Sequence, residues 1–265
     1  MIEMKGINKT YHVRRREAGM GSAVKSLFSR GYEDVPALRD MTFTIPDGQI
    51  VGYIGPNGAG KSTTIKILSG ILRSDSGQCV VNGLVPWEDR KRHVARLGVV
   101  FGQRSQLWWD VPVMDSYQLL RDIYRVPENR FRENLDMLAQ LLDLEELLRT
   151  PARMLSLGQR MRCEIAAALL HSPQVLFLDE PTIGLDAVSK LKVREFIREQ
   201  NRRCGTTVIL TTHDMQDIDA LCERVLLIGK GRLLLDGDTA QIRAMAGENL
   251  STEESVADLY RRFGI

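Results

Sequence analysis

Residues 55–63 read Gly-Pro-Asn-Gly-Ala-Gly-Lys-Ser-Thr, the complete pattern of a phosphate-binding loop. The apolar run IVGYI at 50–54 precedes the loop, and the helix-like run TTIKIL follows at 63–68. Because such a loop binds phosphate only between a strand and a helix, this context predicts that the chain binds a nucleoside triphosphate. The alternative is a glycine-rich turn with a solvated Lys61, and the flanking strand and helix patterns argue against it.

The residue types in the loop explain how it would hold an anion. Gly55, Gly58 and Gly60 let the backbone curl so that successive N–H groups point inward. The helix N-terminus that follows adds a partial positive charge. We expect Lys61 to reach the β- and γ-phosphates and the Ser62 hydroxyl to ligate Mg²⁺.

Length and composition indicate a globular protein. The chain has 265 residues, 43% of them apolar and 26% charged, which is enough for a sizeable core in one large domain or two small ones. The net charge of +2 argues against a nucleic-acid binder, for which a strongly basic domain is expected. The scattered cysteines form no CxxC pair and are predicted to be reduced thiols of a cytosolic protein: Cys79, Cys163, Cys204 and Cys222.

We expect neither a signal peptide nor a membrane-spanning segment. Glu3 and Lys5 place charges within the first residues, which argues against a signal peptide. The longest uncharged stretch, at 165–178, has about 14 residues and contains Pro173, so it is too short to cross a bilayer. The chain is therefore predicted to be soluble and to meet a membrane only through a partner.

Apolar patterns along the chain predict an α/β fold. Met41, Phe43 and Ile45 alternate with threonines, which is the period of a half-buried strand. Helix-like segments separate most of the strands, which favours a largely parallel sheet. Near the end, apolar runs at 225–228 and 233–235 flank Gly-Lys-Gly and predict a hairpin. Further buried-type strands are predicted at 49–54, 97–101, 175–178 and 207–210.

Three segments lie outside this pattern. Leucines recur at helical spacing through 113–148 with no strand among them, which predicts a helical subdomain inserted into the core. The segment 13–35 mixes basic residues with glycines and serines, and we predict a solvated basic loop that interrupts the early strands. A contact with lipid or a partner is the alternative for that loop. Residues 252–263 are predicted to form a short helical cap.

Two acids follow a buried strand. The apolar run 175–178 leads directly into Asp179 and Glu180. Asp179 is placed to hold the hydration shell of Mg²⁺, as in other phosphate-loop NTPases, and Glu180 to polarise the attacking water as a general base. Alone, the pair would fit a surface turn equally well. Downstream of a phosphate loop and at the carboxyl end of a parallel strand, it indicates a catalytic site.

Gln103 and His213 also follow predicted strands. His213 comes after the strand at 207–210, and we expect it to contact a γ-phosphate, with a satisfied structural histidine as the alternative. Gln103 lies just past the strand at 97–101, where its amide would meet the metal or the attacking water. Both residues are therefore candidates for the same edge of the sheet.

The run Leu155-Ser156-Leu157-Gly158-Gln159 opens a predicted helix and forms a second anion site. Ser156 fits an N-cap, and Gly158 is expected to keep the entrance to the helix open. A single chain with one phosphate loop has no obvious use for a second anion site. We therefore predict that this site serves the nucleotide of another subunit.

These motifs together resemble the ATP-binding subunit of an ABC transporter over nearly the whole chain. Tyr11 holds the position at which the family stacks an aromatic ring on adenine. The other matches are Walker A at 55–63, the Q-loop at Gln103, the signature motif at 155–159, Walker B at 175–180, the D-loop at 184–186 and the switch histidine at His213.

The resemblance implies an α/β phosphate-loop NTPase core with a mainly parallel sheet, an antiparallel β part and an inserted helical subdomain. It implies a single ABC ATPase domain over 1–265. The implied boundaries within it are about 1–105 and 160–240 for the core, about 106–159 for the helical subdomain and about 241–265 for a short C-terminal helical tail. The cofactors that it implies are ATP and Mg²⁺.

The resemblance also assigns roles to residues. It makes Glu180, His213 and Gln103 catalytic, and Ser62, Gln103 and Asp179 ligands of the metal. The nucleotide contacts that it implies are Tyr11, Gly55, Pro56, Asn57, Gly58, Ala59, Gly60, Lys61, Ser62, Thr63, Asp179, Ser156, Gly158, Gln159 and Asp186.

The implied assembly is a head-to-tail dimer with two ATP molecules sandwiched between the subunits. Walker A of one subunit would face Ser156, Gly158 and Gln159 of the other. Because both sets are intact in this chain, we predict a homodimer, and a heterodimer stays open. The usual signature has glycine where this chain has Leu157, so the loop is sound only if that position needs no left-handed backbone.

Residues 101–112 and 155–162 resemble a bacterial subgroup of export-type ABC ATPases that work with separate membrane permease subunits. The implied function is an ATPase that powers an exporter from the cytoplasmic face of the cell membrane, as a peripheral subunit without a nucleic-acid partner. An importer subunit is the first alternative, and a soluble ABC-type ATPase of DNA repair or translation is the second. Trp108 and Trp109 are either core residues or anchors for a permease helix.

Overall fold

The structure, a computed structural model, describes residues 1–14, 32–101, 104–246 and 250–265. Within these ranges the strands are β1 (Ile2–Arg14), β2 (Tyr32–Ile45), β3 (Ile50–Ile54), β4 (Ser76–Val81), β5 (Leu97–Phe101), β6 (Val175–Asp179), β7 (Thr207–Thr211), β8 (Arg224–Gly229) and β9 (Arg232–Gly237). The α-helices are α1 (Lys61–Leu68), α2 (Arg90–Val94), α3 (Val113–Tyr124), α4 (Glu128–Leu142), α5 (Leu157–Leu169), α6 (Ala187–Cys204), α7 (Met215–Leu221), α8 (Thr239–Ala246) and α9 (Thr252–Arg262).

A six-stranded sheet in the order β5-β6-β7-β3-β8-β9 forms the centre of the molecule. The pairs β5–β6, β6–β7, β7–β3 and β3–β8 are parallel, and β8–β9 is an antiparallel hairpin. The prediction of an α/β fold with a mainly parallel sheet is confirmed, as is the hairpin near the end. Because neighbouring strands are parallel, their carboxyl ends lie at one edge, where α/β proteins bind ligands.

The central sheet separates two apolar cores. Along β3, Ile50 and Ile54 enter one core, whereas Val51 and Tyr53 enter the other. This alternation is the period-2 pattern of a strand that is covered on both faces. Residues from helices α3 to α9 contribute to the first core, and residues from β1, β2, β4 and α1 contribute to the second.

A three-stranded antiparallel sheet in the order β2-β1-β4 covers the second core. Its apolar side chains include Met41, Phe43 and Ile45, which are buried and alternate with exposed threonines as predicted. The predicted basic loop at 13–35 is wrong at both ends, because Val13 pairs with Glu33 and the two strands continue the ladder there. Positions 15–31, which hold most of the basic residues of that prediction, lie outside the described residues.

Helices α3 and α4 occupy the region where a helical insertion was predicted. Leu135, Leu138 and Leu142 of α4 are buried, while Glu133 and Asp136 are exposed, as the leucine spacing indicates. The described residues between 106 and 159 contain no strand, although the subdomain boundaries themselves stay a prediction.

A histidine joins this helical region to the central sheet. The ring of His171, just after α5, stacks on Tyr124 of α3 with 3.9 Å between the ring centroids. Its Nε2 hydrogen-bonds the carbonyl of Leu97 in β5 at 2.8 Å. Burial lowers the pKa of His171 to about 4, so the ring is neutral near pH 7 and Nε2 is the donor.

The C-terminal hairpin lies under the phosphate loop. The Gly231 N–H donates to the Ala59 carbonyl at 3.0 Å, and the Arg39 N–H donates to the Gly231 carbonyl at 2.8 Å. Helix α9 follows, with Ser251 and Glu254 forming a capping box at its start, in the region where a helical cap was predicted. No helix in the described part of the chain is long and apolar enough to span a bilayer.

Candidate functional site

A cavity of about 740 Å³ lies at the carboxyl-terminal edge of the central sheet. It brings together the phosphate loop, the two acids at the end of β6 and the histidine after β7, which are far apart in the sequence. Ten of the predicted site residues line it: Pro56, Asn57, Gly58, Gly60, Lys61, Ser62, Thr63, Asp179, Glu180 and His213. Gly55, Ala59 and Tyr11 lie outside its lining, and Gln103 lies outside the described residues.

The phosphate loop has the backbone that an anion cradle requires. Gly60 is the N-cap of α1 with φ of 108°, and a Cβ there would lie 2.8 Å from the Ala37 carbonyl oxygen, so only glycine fits. Gly58 also has positive φ, and a Cβ there would meet nothing within 4 Å, so this part of the loop is open. The start of α1 therefore faces the cavity with its N–H groups free of side-chain caps.

Lys61 lies folded back over the loop and is only 9% exposed. Its ammonium donates to the carbonyls of Gly55 and Pro56. Burial lowers the pKa of Lys61, and the nearby carboxylates of Glu180 and Asp179 oppose that shift. Among the described residues, no carboxylate oxygen lies within 4.0 Å of the Lys61 ammonium, whose hydrogen-bond partners are the two carbonyls of its own loop.

Tyr11 lies beside the cavity and not in its lining. Its hydroxyl is 3.3 Å from the Thr63 hydroxyl, at the end of the phosphate loop. Val35, Pro36 and Ala37 of β2 line the same side of the cavity, and Val35 pairs with Tyr11 across the β1–β2 ladder. The contact of Tyr11 with adenine stays a prediction.

Glu180 and His213 form a pair in the lining of the same cavity. Oε1 of Glu180 lies 3.3 Å from Nε2 of His213, and the His213 N–H donates to Oε2 at 3.3 Å. Glu180 has φ of 55°, a conformation rare for a non-glycine residue, and its N–H donates to the Thr211 carbonyl at 3.0 Å. Strained backbone of this kind is concentrated at functional sites.

The environment of Glu180 makes its carboxylate a stronger base than an exposed one. Burial raises its pKa, and the nearby His213 and Lys61 oppose the rise. A carboxylate with a raised pKa accepts a proton more readily near neutral pH. Its place in the cavity is therefore suited to activating a water molecule.

Asp179 and Ser62 supply two oxygen ligands to one cavity. The Asp179 carboxylate accepts a hydrogen bond from the Thr211 hydroxyl, which fixes its orientation at the end of β6. Ser62 is exposed and lines the same cavity. Carboxylate and hydroxyl oxygens are ligands that Mg²⁺ accepts, so the donor set fits that ion.

The predicted second anion site begins α5, away from this cavity. Ser156 is the N-cap of α5 and forms a capping box with Gln159, as its predicted N-cap role requires. Leu157 is helical and is not among the residues with positive φ, so leucine fits where the family has glycine. Neither Ser156, Gly158 nor Gln159 lines the cavity, so within one chain the two anion sites are separate.

Close packing against α6, and not an open entrance to α5, explains why residue 158 is glycine. Gly158 is buried, and a Cβ there would lie 2.8 Å from the Ser189 Oγ of α6. Ser189 is itself held by Asp186, whose carboxylate accepts from its N–H at 2.9 Å and from its hydroxyl at 2.8 Å. Asp186 is thus the N-cap of α6, and its predicted contact with nucleotide stays a prediction.

Trp108 and Trp109 are surface residues. They are 59% and 51% exposed, so the core interpretation is wrong. The guanidinium of Arg160, on α5, lies 5.6 Å from the ring centroid of Trp109, a cation–π contact. The pair therefore lies beside the helix that carries the second anion site.

Several residues that line the cavity were not predicted. Arg104 and Phe101 flank the position of Gln103, and Ile183 follows Glu180 by three residues. The sequence could have identified Arg104 as a site residue, since a cation directly after a predicted site residue is suited to binding a polyphosphate. The β2 residues Val35 and Pro36 carried no such sequence signal, because they reach the cavity only through the pairing of the antiparallel sheet.

Comparisons with known proteins agree with this geometry. The profile of the ABC transporter family matches residues 38–183, which include the phosphate loop and both acids at the end of β6. The methionine import ATP-binding protein MetN of Photorhabdus laumondii subsp. laumondii is 34% identical, over 80% of this chain and 62% of its own length. A fluoroquinolones export ATP-binding protein of Mycobacterium tuberculosis is 38% identical, over 77% of this chain and 66% of its own length.

The match thus covers less than two thirds of the length of each relative: 62% of the methionine import protein and 66% of the fluoroquinolones export protein. Among solved structures, the dimeric form of MJ0796, a bacterial ABC transporter cassette, is similar with a TM-score of 0.73 and 26% sequence identity. That similarity covers 90% of this chain and 98% of the other.

Proposed function

This chain belongs to the ABC transporter family of ATP-binding subunits, and we propose that it hydrolyses ATP to ADP and phosphate to power transport across a membrane. One observation carries the proposal: a phosphate loop and a carboxylate–histidine pair line the same cavity. A loop of inward N–H groups with a lysine holds phosphates. A half-buried carboxylate in the same cavity is a base for the attacking water.

Lys61, Glu180 and His213 would have separate roles in the reaction. Lys61 would exchange the carbonyls of Gly55 and Pro56 for the β- and γ-phosphate oxygens, since charged acceptors give stronger hydrogen bonds. Glu180 would take the proton of the attacking water, and His213 would contact the γ-phosphate and hold the carboxylate in place. Positioning and electrostatic stabilisation supply most of the catalysis in phosphoryl transfer.

Ser62 and Asp179 would hold Mg²⁺, with Gln103 as the third predicted ligand. Both described ligands line the cavity, and Thr211 fixes the Asp179 carboxylate. The ion supplies positive charge that neutralises the phosphate oxygens. Ser62 belongs to the phosphate loop and Asp179 directly precedes Glu180, so an ion held by both residues would also fix the loop relative to the base.

We further propose that two copies of the chain form the active dimer. Leu157, Ile183 and Val188 are 40%, 54% and 64% exposed and surround the start of α5 and the loop after Glu180. Large apolar side chains that are exposed beside a functional site are typical of a surface that a partner covers. In a head-to-tail dimer, this surface would place Ser156 and Gly158 against the nucleotide of the opposite subunit.

Mixing two inactive variants tests the shared site. Lys61→Ala disables the phosphate loop, and Ser156→Asp keeps a good N-cap while placing a negative charge against the phosphates. We expect each variant alone to be inactive. Their mixture should recover about a quarter of the wild-type rate, because half of the dimers are mixed and each mixed dimer has one intact site. Phosphate release from purified protein with ATP and Mg²⁺ measures the effect.

The control for the mixing experiment is Ser156→Asn, which keeps the cap without the charge and should retain most of the activity. If Ser156→Asp alone hydrolyses ATP at the wild-type rate, the residue does not face a nucleotide. If both variants are inactive and their mixture stays so, the site is not shared between subunits.

We also propose that Trp108 and Trp109 anchor a permease subunit. Adjacent exposed aromatic side chains on a surface suit insertion into a groove of a partner, and tryptophan is enriched among residues that dominate binding energy. The contact between Arg160 and Trp109 would connect such an anchor to α5, the helix that carries the second anion site. Dimer closure would thereby be transmitted to the permease.

Alanine at both tryptophans should move the protein from the membrane fraction of its source cells to the supernatant while leaving ATP affinity within about twofold. Met245→Ala is a matched control, because Met245 on α8 is 51% exposed, as Trp109 is. We expect it to stay with the membrane. An unaltered distribution of the double tryptophan variant would reject the anchor.

Export is the direction that we propose, with the chain as a peripheral subunit at the cytoplasmic face of the membrane. The proposal rests on the resemblance of residues 101–112 and 155–162 to export-type subunits and on the 38% identity to the fluoroquinolones export protein. An importer is the second candidate, which the 34% identity to the methionine import protein favours. Neighbouring genes for multi-span membrane proteins without a solute-binding protein would support export.

A further inference from the structure

A buried carboxylate lies behind the proposed catalytic pair. Asp217 on α7 is 0% exposed. Its Oδ2 accepts hydrogen bonds from the Thr182 hydroxyl and, at 3.1 Å, from the Thr212 hydroxyl. Its Oδ1 accepts from Nε of Arg194, on α6, at 2.6 Å. Four segments of the chain therefore meet at one side chain that does not line the cavity.

The two threonines belong to the two loops that carry the catalytic candidates. Thr182 follows Glu180 by two residues, and Thr212 directly precedes His213. Both hydroxyls donate to the same carboxylate oxygen, so the two loops are held at a fixed separation. Glu180 and His213 then meet at 3.3 Å on the cavity side of that junction.

We propose that Asp217 is a positioning residue that fixes the Glu180 loop against the His213 loop, and thereby sets the geometry of the base for hydrolysis. This inference rests on the proposed ATPase function of the same site. Displacement of a reacting group by about an ångström costs on the order of a hundredfold in rate, so a residue that touches no substrate can control the reaction.

The charges around Asp217 explain why its carboxylate is tolerated in the interior. Arg194, 9% exposed, supplies the opposing charge, and its guanidinium also lies 3.5 Å from Asp214. Lys190 in turn pairs with Asp214. A buried ion pair of this kind contributes little net stability against apolar residues, whereas removal of one partner is strongly destabilising. A substitution that keeps the shape of a side chain and removes only one hydrogen bond to Asp217 is therefore a better test than removal of a charged partner.

Thr182→Val removes one hydrogen bond to Asp217 and keeps the shape of the side chain. We expect kcat for ATP hydrolysis to fall on the order of tenfold while KM for ATP stays within about twofold, because the phosphate loop is not touched. Thr206→Val is the matched control: Thr206 is 1% exposed and, within the described part of the chain, its hydroxyl has no hydrogen-bond partner. Its kcat should equal that of the wild type.

Asp217→Asn should lower kcat further, and its effect should not add to that of Thr182→Val, because both remove the same junction. Thermal unfolding and ATP binding, measured on the same samples, separate rate from stability. If Thr182→Val unfolds at a lower temperature but keeps the wild-type kcat, or if its defect falls on KM alone, the positioning role is overturned. Failure of the wild-type protein to hydrolyse ATP would instead reject the proposed function, and the inference with it.

Discussion

Replacing Lys61 by alanine should abolish ATP binding, with the dissociation constant rising at least about a hundredfold. Lys61 is the cation folded over the phosphate loop, and hydrogen bonds to charged groups are worth about 1.5–3 kcal/mol each. Two such bonds to phosphate oxygens correspond to a hundredfold or more, since about 1.4 kcal/mol is a factor of ten. Titration with a fluorescent ATP analogue measures the change.

The fold should survive this substitution, because among the described residues the Lys61 ammonium hydrogen-bonds only to carbonyls of its own loop. Lys192→Ala provides a surface control, since the Lys192 ammonium pairs with Asp143 on the exposed side of α6, and its ATP affinity should match the wild type. ATP affinity within about threefold of wild type in Lys61→Ala would contradict the assignment of the loop.

The sequence was most informative where local chemistry determines structure. The phosphate loop needs glycines, a lysine and a hydroxyl in fixed order, and its strand and helix occur at Ile50–Ile54 and Lys61–Leu68, close to the predicted bounds. The strand before Asp179 and Glu180 was equally clear, because both its faces are buried and its apolar run is continuous. Placement of Lys61, Glu180 and His213 around one cavity followed from the rule for parallel strands.

Long-range pairing was what the sequence concealed. Strand β1 contains Lys5, Asn8 and Lys9, and its ladder with β2 has register shifts, so its apolar alternation is broken. The extension of β1 and β2 past Tyr11 was therefore missed, and with it the β2 wall of the cavity at Val35. The sequence also could not decide whether Trp108 is buried or exposed, because a tryptophan gives the same sequence signal in a core and on a binding surface.

The network around Asp217 was invisible for a different reason. Thr182, Arg194 and Thr212 are unremarkable alone, and only the crossing of α6, α7 and two loops brings them to one carboxylate. A buried acid looks in sequence like any polar residue on an amphipathic helix. Its detection required the burial of each atom and the identity of each donor.

Replacing Glu180 by glutamine should stop hydrolysis and leave ATP bound. Glutamine keeps the size of the side chain and one oxygen that accepts from the His213 N–H, but it cannot take a proton from water. Loss of a general base costs about 10²- to 10⁴-fold, so we expect kcat to fall by at least a hundredfold with ATP affinity within a few-fold of the wild type. Phosphate release and ATP titration on the same protein measure the two effects.

The same variant should accumulate as an ATP-bound dimer, which size-exclusion chromatography with and without ATP and Mg²⁺ detects. Hydrolysis is the step that removes the bridging γ-phosphate, so a site that binds without hydrolysing holds its two subunits together. Glu199→Gln on α6, whose carboxylate pairs with Arg202 and Arg203 on the surface, should hydrolyse ATP normally and elute as the wild type does. A Glu180→Gln protein that binds ATP but remains a monomer would show that the phosphate loop is a complete site in one chain. The shared site predicts that the Glu180→Gln dimer forms only with ATP and is lost when Ser156→Asp is introduced into the same chain. That result would show that the phosphate loop of one subunit and the start of α5 of the other bind the same nucleotide.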